Sequence, residues 1–406
     1  MKFILRPLCL MIIGIPRVFA QLTTLYIPPH LTDNNYTAAQ DSHYVALNTA
    51  AISNNRLLVF LPGTGAKTKH YTYFPALAAD LGYHCVAVAY PNGYPSIASL
   101  CAGNADTNCY RNISQEVCYG TDVSSNVNVD TLNCINTRLV KLLQYLSTTY
   151  PANGWGQFLN GASLAWGTIV VSGHSQGSGH ALYLAKTQSC DRVIMFSGAD
   201  DYSNLYSKPA NWVYIPGYTA INRHFSFLHL QDDVWDYSKQ FSVVQAAGMT
   251  ANGDDSTLVD NITSPYLNSH CLYTNVTPLH AGIYSSFHNA PVVDYYTPLG
   301  NGSQALYTPV WTYMLTVNTS TGIEQNSTKT GLKIFPNPFN NEITITELNT
   351  NTARILQVIN TFGQIVLEKN IPSLVSDHSI TIDLNMLSPG LYIIRVGNFT
   401  ARCLKG

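Results

Sequence analysis

A chain of 406 residues has room for two or three domains and a large apolar core. Its formal net charge is −2 and charged residues make up only 11% of it, which argues against nucleic acid or an anionic membrane surface as the main partner. Polarity comes instead from Asn, Ser, Thr and 26 tyrosines, a weakly charged surface of the kind common on secreted proteins.

The first twenty residues read as a signal peptide. Lys2 and Arg6 precede an apolar stretch from Leu8 to Ile15, and Val18-Phe19-Ala20 offers a small-residue cleavage site before Gln21. Pro7 and Pro16 interrupt a helix there, the run is too short to span a bilayer, and no later segment is long and apolar enough to do so. Nine cysteines fit an exported protein. Cys9 would leave with the signal peptide. Cys101, Cys109, Cys118 and Cys134 crowd one polar region and read as loop staples, with three possible pairings. No C-x-x-C spacing occurs among them, so disulfides are favoured over zinc, and neither metal nor cofactor is expected. Cys190 and Cys271 could pair or stay free, and Cys85, in a strand-like run, reads as a buried apolar residue. Cys403 stands apart with no assigned role.

After a polar lead-in, Arg56 to Leu61 reads as a strand ending at Pro62-Gly63-Thr64-Gly65, and Pro75 to Leu81 as a helix stopped by Gly82. His84 to Ala89 is a second strand. Residues 94 to 130 hold most of the clustered cysteines and show little periodicity, so they read as an insertion. From Leu132 to Leu146 apolar residues recur at helical spacing. Thr168 to Val171 is a β-branched strand running into Gly173-His174-Ser175-Gln176-Gly177 and a small-residue helix. Strands follow at Arg192–Phe196, Phe225–Leu230 and Cys271–Tyr273, with helices at Val243–Met249 and Val310–Leu315. This alternation implies an α/β fold, a mostly parallel sheet covered by helices, over residues 21–317. Residues 318–330 are polar and read as a linker. Beyond them, residues 331–406 alternate with period two, as in Ile343 and Ile345 against Thr344 and Thr346, and predict a small all-β sandwich.

The stretch around Ser175 carries the chemistry. A strand turning directly into a helix forces its corner residue into a strained conformation, and flanking glycines let the backbone approach closely; this is the context of a G-x-S-x-G nucleophile elbow. A serine needs a base, and the base needs a carboxylate, in the chain order Ser, acid, His. Asp232, just past a strand, is the favoured acid, with Asp233 as its substitute and Asp200 and Asp201 after the preceding strand as a third option. His288, in an irregular stretch before the last helix, is the favoured base, and His280 is the alternative. The oxyanion of the tetrahedral intermediate would be held by the backbone N–H of Gln176 and by a donor from Thr64 or Gly65.

With those residues in view, residues 56 to 316 resemble an α/β-hydrolase: a strand followed by PGTG, the elbow GHSQG, QDD after a strand, and a late histidine. Residues 331 to 406 resemble the C-terminal sorting domain of bacterial type IX secretion cargo, through FPNPF (Phe335–Phe339), NTFGQIV (Asn360–Val366) and SPGLYIIRV (Ser388–Val396). That resemblance implies a β-sandwich read by the outer-membrane secretion machinery and commonly cleaved afterwards. The expected protein is a secreted or cell-surface serine hydrolase, an esterase or lipase acting on a small-molecule or polymer ester. A serine peptidase and a non-catalytic binding protein on a hydrolase scaffold are the alternatives.

Overall fold

The β-branched and aliphatic runs at the centre of the chain have no polar face, so they are stable as strands only where other elements cover both sides. The computed structural model describes residues 22–250, 256–317, 333–346, 354–360, 364–371, 379–396 and 399–406, in two units divided between Thr319 and Ser320. The proposed signal peptide and the whole of the linker lie outside the described residues.

The first unit holds one large sheet. Its described strands are β1 (Leu22–Ile27), β2 (His43–Asn48), β3 (Leu57–Leu61), β4 (His84–Ala87), β5 (Ile169–His174), β6 (Arg192–Phe196), β7 (His224–His229), β8 (Thr257–Leu258) and β9 (Cys271–Thr274). They lie in the order β1-β2-β4-β3-β5-β6-β7-β9-β8. β1 and β2 are antiparallel, and β2 is antiparallel to β4; every other neighbouring pair is parallel. Helices α1 (Tyr73–Asp80), α2 (Cys109–Tyr119), α3 (Ile135–Thr149), α4 (Gln176–Thr187), α5 (Tyr237–Ala246), the single turn α6 (Ser286–Asn289) and α7 (Thr308–Thr316) connect and cover it. Alternate side chains divide between two cores. Leu57, Val59 and Leu61 pack with α3 and α4, while Leu58 and Phe60 pack with Phe74 of α1 and Trp311 of α7. Burying each such side chain stabilises the fold by about 1.5–3 kcal/mol. From β3 the chain crosses to β4 on one side, and from the neighbouring β5 it crosses to β6 on the other. The crevice at the carboxyl ends of β3 and β5 is therefore the natural place for a site.

Several expectations are corrected. The polar lead-in contains β1 and β2. The segment 94–130 contains α2 and a short helix at Ile97–Cys101. Of the clustered cysteines only Cys101 and Cys109 are bonded; Cys118 and Cys134 are buried thiols, as are Cys85, Cys190, Cys271 and Cys403. A carboxylate ties down the end of the insertion. Glu116, on α2, accepts the backbone N–H groups of Val123 at 3.1 Å, Ser124 at 2.9 Å and Val129 at 2.9 Å. The helix expected at Val243–Met249 begins earlier, at Tyr237, because Asp236 caps it by accepting the Ser238 N–H at 2.8 Å.

The second unit contains β10 (Lys333–Phe335), β11 (Glu342–Thr346), β12 (Arg354–Ile359), β13 (Ile365–Ile371), β14 (Ile380–Asp383), β15 (Gly390–Val396) and β16 (Phe399–Lys405). They form two antiparallel sheets, β10-β11-β14 and β13-β12-β15-β16. Alternate residues such as Ile343, Ile345, Ile382, Ile394 and Val396 turn into one core, where Cys403 is a buried apolar member.

Candidate active site

Ser175 joins β5 directly to α4, with φ +54° and ψ −123°. Such a conformation costs a non-glycine residue about 1–3 kcal/mol and persists only when its surroundings impose it. Here they do. A Cβ on Gly173 would stand 2.2 Å from the Gly177 carbonyl oxygen, and one on Gly177 would stand 2.0 Å from that of Leu61. Strand, helix and the end of β3 approach so closely that only glycine fits at both positions. The Ser175 N–H donates to the Phe196 carbonyl at 2.9 Å, and the Ser178 hydroxyl bonds the Gly173 carbonyl at 2.7 Å, bracing the corner.

His288, on α6, places Nδ1 2.7 Å from Asp232 Oδ2. The carboxylate accepts, so Nδ1 carries the hydrogen and Nε2 is left as the basic nitrogen. Nε2 is buried and has no partner among the described residues. Asp232 is fixed in turn: its Oδ1 accepts the N–H groups of Val234 and Trp235, each at 2.9 Å, and its Oδ2 accepts Gln240 Nε2 at 2.8 Å. Burial alone would raise the Asp232 carboxyl, but the His288 charge and these hydrogen bonds hold it below its ordinary value. Burial alone would lower His288; the charge and hydrogen bond of Asp232, with Asp200 and Asp233 behind them, raise it instead. Asp233 takes a different part, accepting the His288 backbone N–H at 3.1 Å. His280 stacks on the Tyr295 ring at 3.9 Å, and among the described residues no carboxylate pairs with it.

A hydrogen-bonded chain fixes His288 from behind. The His288 carbonyl accepts the Ser197 hydroxyl at 2.6 Å and His174 Nε2 at 3.2 Å. His174 Nε2 must therefore carry the hydrogen, and its Nδ1 accepts the Tyr71 hydroxyl at 3.0 Å. Tyr71 itself accepts the Gly63 N–H at 3.2 Å. Burial, helped by the His288 charge, pushes His174 down to about 3, so it is neutral and has a single tautomer. The rings of His174 and His288 are 5.0 Å apart, which brings His288 beside the residue preceding Ser175. Tyr71 and Ser197 carry no signal in the sequence; His174 does, lying inside the elbow motif itself.

The Ser175 hydroxyl donates to Asp200 Oδ2 at 3.2 Å. Asp200 thus meets the serine rather than His288, and its Oδ1 is buried without a partner among the described residues. Burial lifts the Asp200 carboxyl to about 7 against the pull of His288, and the Asp232 charge adds to the rise. Asp201 is likewise lifted to about 7 by burial and by Asp200.

Of the three expected oxyanion donors, Gly65 is already engaged: its N–H donates to the Asn92 carbonyl at 2.8 Å. Thr64 is exposed at the tip of the loop after β3, and its hydroxyl donates to Gln176 Oε1 at 3.0 Å, tying the loop to the elbow. Gln176 is the first residue of α4, so its N–H has no intrahelical acceptor. Among the described residues no group of three or more His, Cys, Asp or Glu could hold a metal ion, and no helix is long and apolar enough to cross a membrane.

Residues 333–405 match the secretion system C-terminal sorting domain. That domain marks proteins exported by type IX secretion to the cell surface or extracellular space, and it implies contact with the secretion machinery. No curated protein matches the chain. Among solved structures, a putative dienelactone hydrolase from Klebsiella pneumoniae is 8% identical, covering 64% of this chain and 88% of that one with a TM-score of 0.34. TT1662 from Thermus thermophilus is 12% identical, covering 63% and 88% with a TM-score of 0.31. A thermostable endoglucanase from Alicyclobacillus acidocaldarius is 18% identical over 19% of this chain, at a TM-score of 0.16; the chain spans only 15% of its length.

Proposed function

We propose that the first unit is an α/β-hydrolase acting as a serine hydrolase on carboxylic esters, delivered outside the cell by the second. The strand order supports the fold: an antiparallel β1–β2 edge, then parallel strands, with a serine corner after β5, an acid loop after β7 and a histidine after β9. One observation carries the chemistry: the buried Asp232–His288 pair, its Nε2 without a partner among the described residues, lies against His174, the residue before a strained Ser175.

In this mechanism Ser175 turns its hydroxyl from Asp200 to His288 Nε2. Oγ bonds to the carbonyl carbon as its proton passes to Nε2. The Gln176 and Thr64 N–H groups hold the oxyanion, a contribution of about 2.7–4 kcal/mol for each donor in comparable sites. As the tetrahedral intermediate collapses, the C–O bond to the alcohol breaks and Nε2 returns the proton to the leaving oxygen. Water then repeats the sequence on the acyl-enzyme, Nε2 taking its proton and giving it back to Oγ. Asp232 keeps the imidazole in one tautomer and stabilises its charged form throughout.

The test is labelling by a fluorophosphonate together with Ser175→Ala. Labelling at Ser175, and loss of several orders of magnitude in hydrolysis by the folded variant, are expected. Absence of labelling in folded wild-type protein would instead favour a non-catalytic binding role for the scaffold. Comparing ester and peptide substrates separates esterase from peptidase.

A further inference from the structure

Asp200 Oδ2 receives the Ser175 hydroxyl proton, and Oδ1 receives nothing among the described residues. The serine is therefore this carboxylate's one described hydrogen-bond donor. Acylation removes it. Oγ becomes an ester oxygen with no hydrogen, while the proton has gone by way of His288 to the leaving alcohol. The alcohol side of the substrate has departed by then, so only the acyl side remains to face Asp200. Left without any donor, the buried carboxylate is strongly disfavoured and must either take up a proton or find another donor.

An acyl group with its own donor resolves the conflict. Oδ2 lies 3.2 Å from Oγ, and a substituent on the first or second carbon beyond the carbonyl can reach that neighbourhood. The charges nearby select its kind. Asp201, Asp232 and Asp233 act on the same group of residues, so an anionic substituent is repelled and a donor is attracted. We infer that Asp200 is a specificity-determining residue that selects acyl groups bearing a hydrogen-bond donor, a hydroxyl or a protonated amine, on the first or second carbon beyond the scissile carbonyl. This rests on the serine hydrolase reading above.

The experiment compares full-length wild type, Asp200→Asn and Asp200→Leu on the 4-nitrophenyl esters of butyrate, 3-hydroxybutyrate and 3-aminobutyrate. The wild type should favour a donor-bearing ester over butyrate by about 10- to 100-fold in kcat/KM, the range for a hydrogen bond to a charged group. Asp200→Leu should bring that ratio to about one. Asp200→Asn, which keeps the shape and an acceptor, should retain part of a hydroxyl preference and lose an amine preference. A wild-type ratio near one, or a ratio that survives Asp200→Leu, overturns the proposal. So does equal slowing of deacylation on all three esters, which would assign Asp200 to the attacking water. Fluorophosphonate labelling of the same samples separates the two readings. Labelled wild type with a flat acyl profile sinks the Asp200 proposal alone; unlabelled wild type sinks the hydrolase reading and this proposal with it.

Discussion

Tyr71→Phe removes one oxygen from the middle of the chain that links the loop after β3 to the base. The ring is 1% exposed and packs 4.7 Å from that of Phe60, so the apolar contacts survive the change. Two hydrogen bonds do not: the one from the Gly63 N–H at 3.2 Å and the one to His174 Nδ1 at 3.0 Å. Both partners are buried, and neither gains a substitute. Each stranded polar group costs about 1–3 kcal/mol, and relief from burying the phenol oxygen offsets part of it, so the net loss should be about 3 kcal/mol. Without Tyr71, His174 Nδ1 has no donor, only the bond from Nε2 to the His288 carbonyl still fixes the ring, and the grip on that carbonyl weakens. Activity should fall through kcat more than KM. Thermal melts and ester hydrolysis by the purified full-length variant check both consequences; at about 2–4 °C per kcal/mol, Tm should drop by several degrees. A Tm within a degree of wild type, with unchanged kcat/KM, would refute the reasoning.

Asp232→Asn should cost several orders of magnitude in kcat, and Asp233→Asn far less, because Asp233 bonds the backbone N–H of His288 and not its ring; parallel kinetics on both variants decide it. Hydrolysis needs neutral His288, whose pKa is raised above 6.5, so the pH–rate profile should fall on acidification with a midpoint above that value. Asp200 binds its proton more tightly folded than unfolded, so its presence erodes stability as pH rises from about 4 to about 7. Asp200→Asn should therefore stabilise the protein by up to about 4 kcal/mol at pH 8 and by little at pH 3, measurable by urea unfolding. Truncation after Thr330 should leave ester hydrolysis intact and abolish delivery to the cell surface; cell fractionation with an activity assay would expose the error if an untagged, truncated protein still reached the outside.

The elbow was readable because its constraint is local: two glycines, a β-branched run before and small residues after are all adjacent in the chain. Asp232 was placed by the strand ahead of it, though only the fold distinguishes it from Asp233 one residue later. What escaped was long-range. The Gly65 N–H is spent on Asn92 and Ser175 leans on Asp200, neither of which adjacency reveals. Helix α2 was missed because its buried face uses Cys109, Tyr110, Ile113, Val117 and Cys118, in which cysteine and tyrosine stand where aliphatic periodicity would otherwise appear. The four clustered cysteines suggested two staples, yet Cys118 and Cys134 lie in the core where thiols behave as small apolar groups.

The clasp made by Glu116 changes what oxidation means for this protein. Three main-chain N–H groups spanning Val123 to Val129 converge on one side chain carried by a helix. The disulfide closes only the short loop from Cys101 to Cys109. The stretch from Val123 to Val129 therefore takes its shape from an interaction that reductants do not touch. That stretch can reach its final form in a reducing compartment as well as an oxidising one, and its folding need not wait for the Cys101–Cys109 bond to close along the route of export.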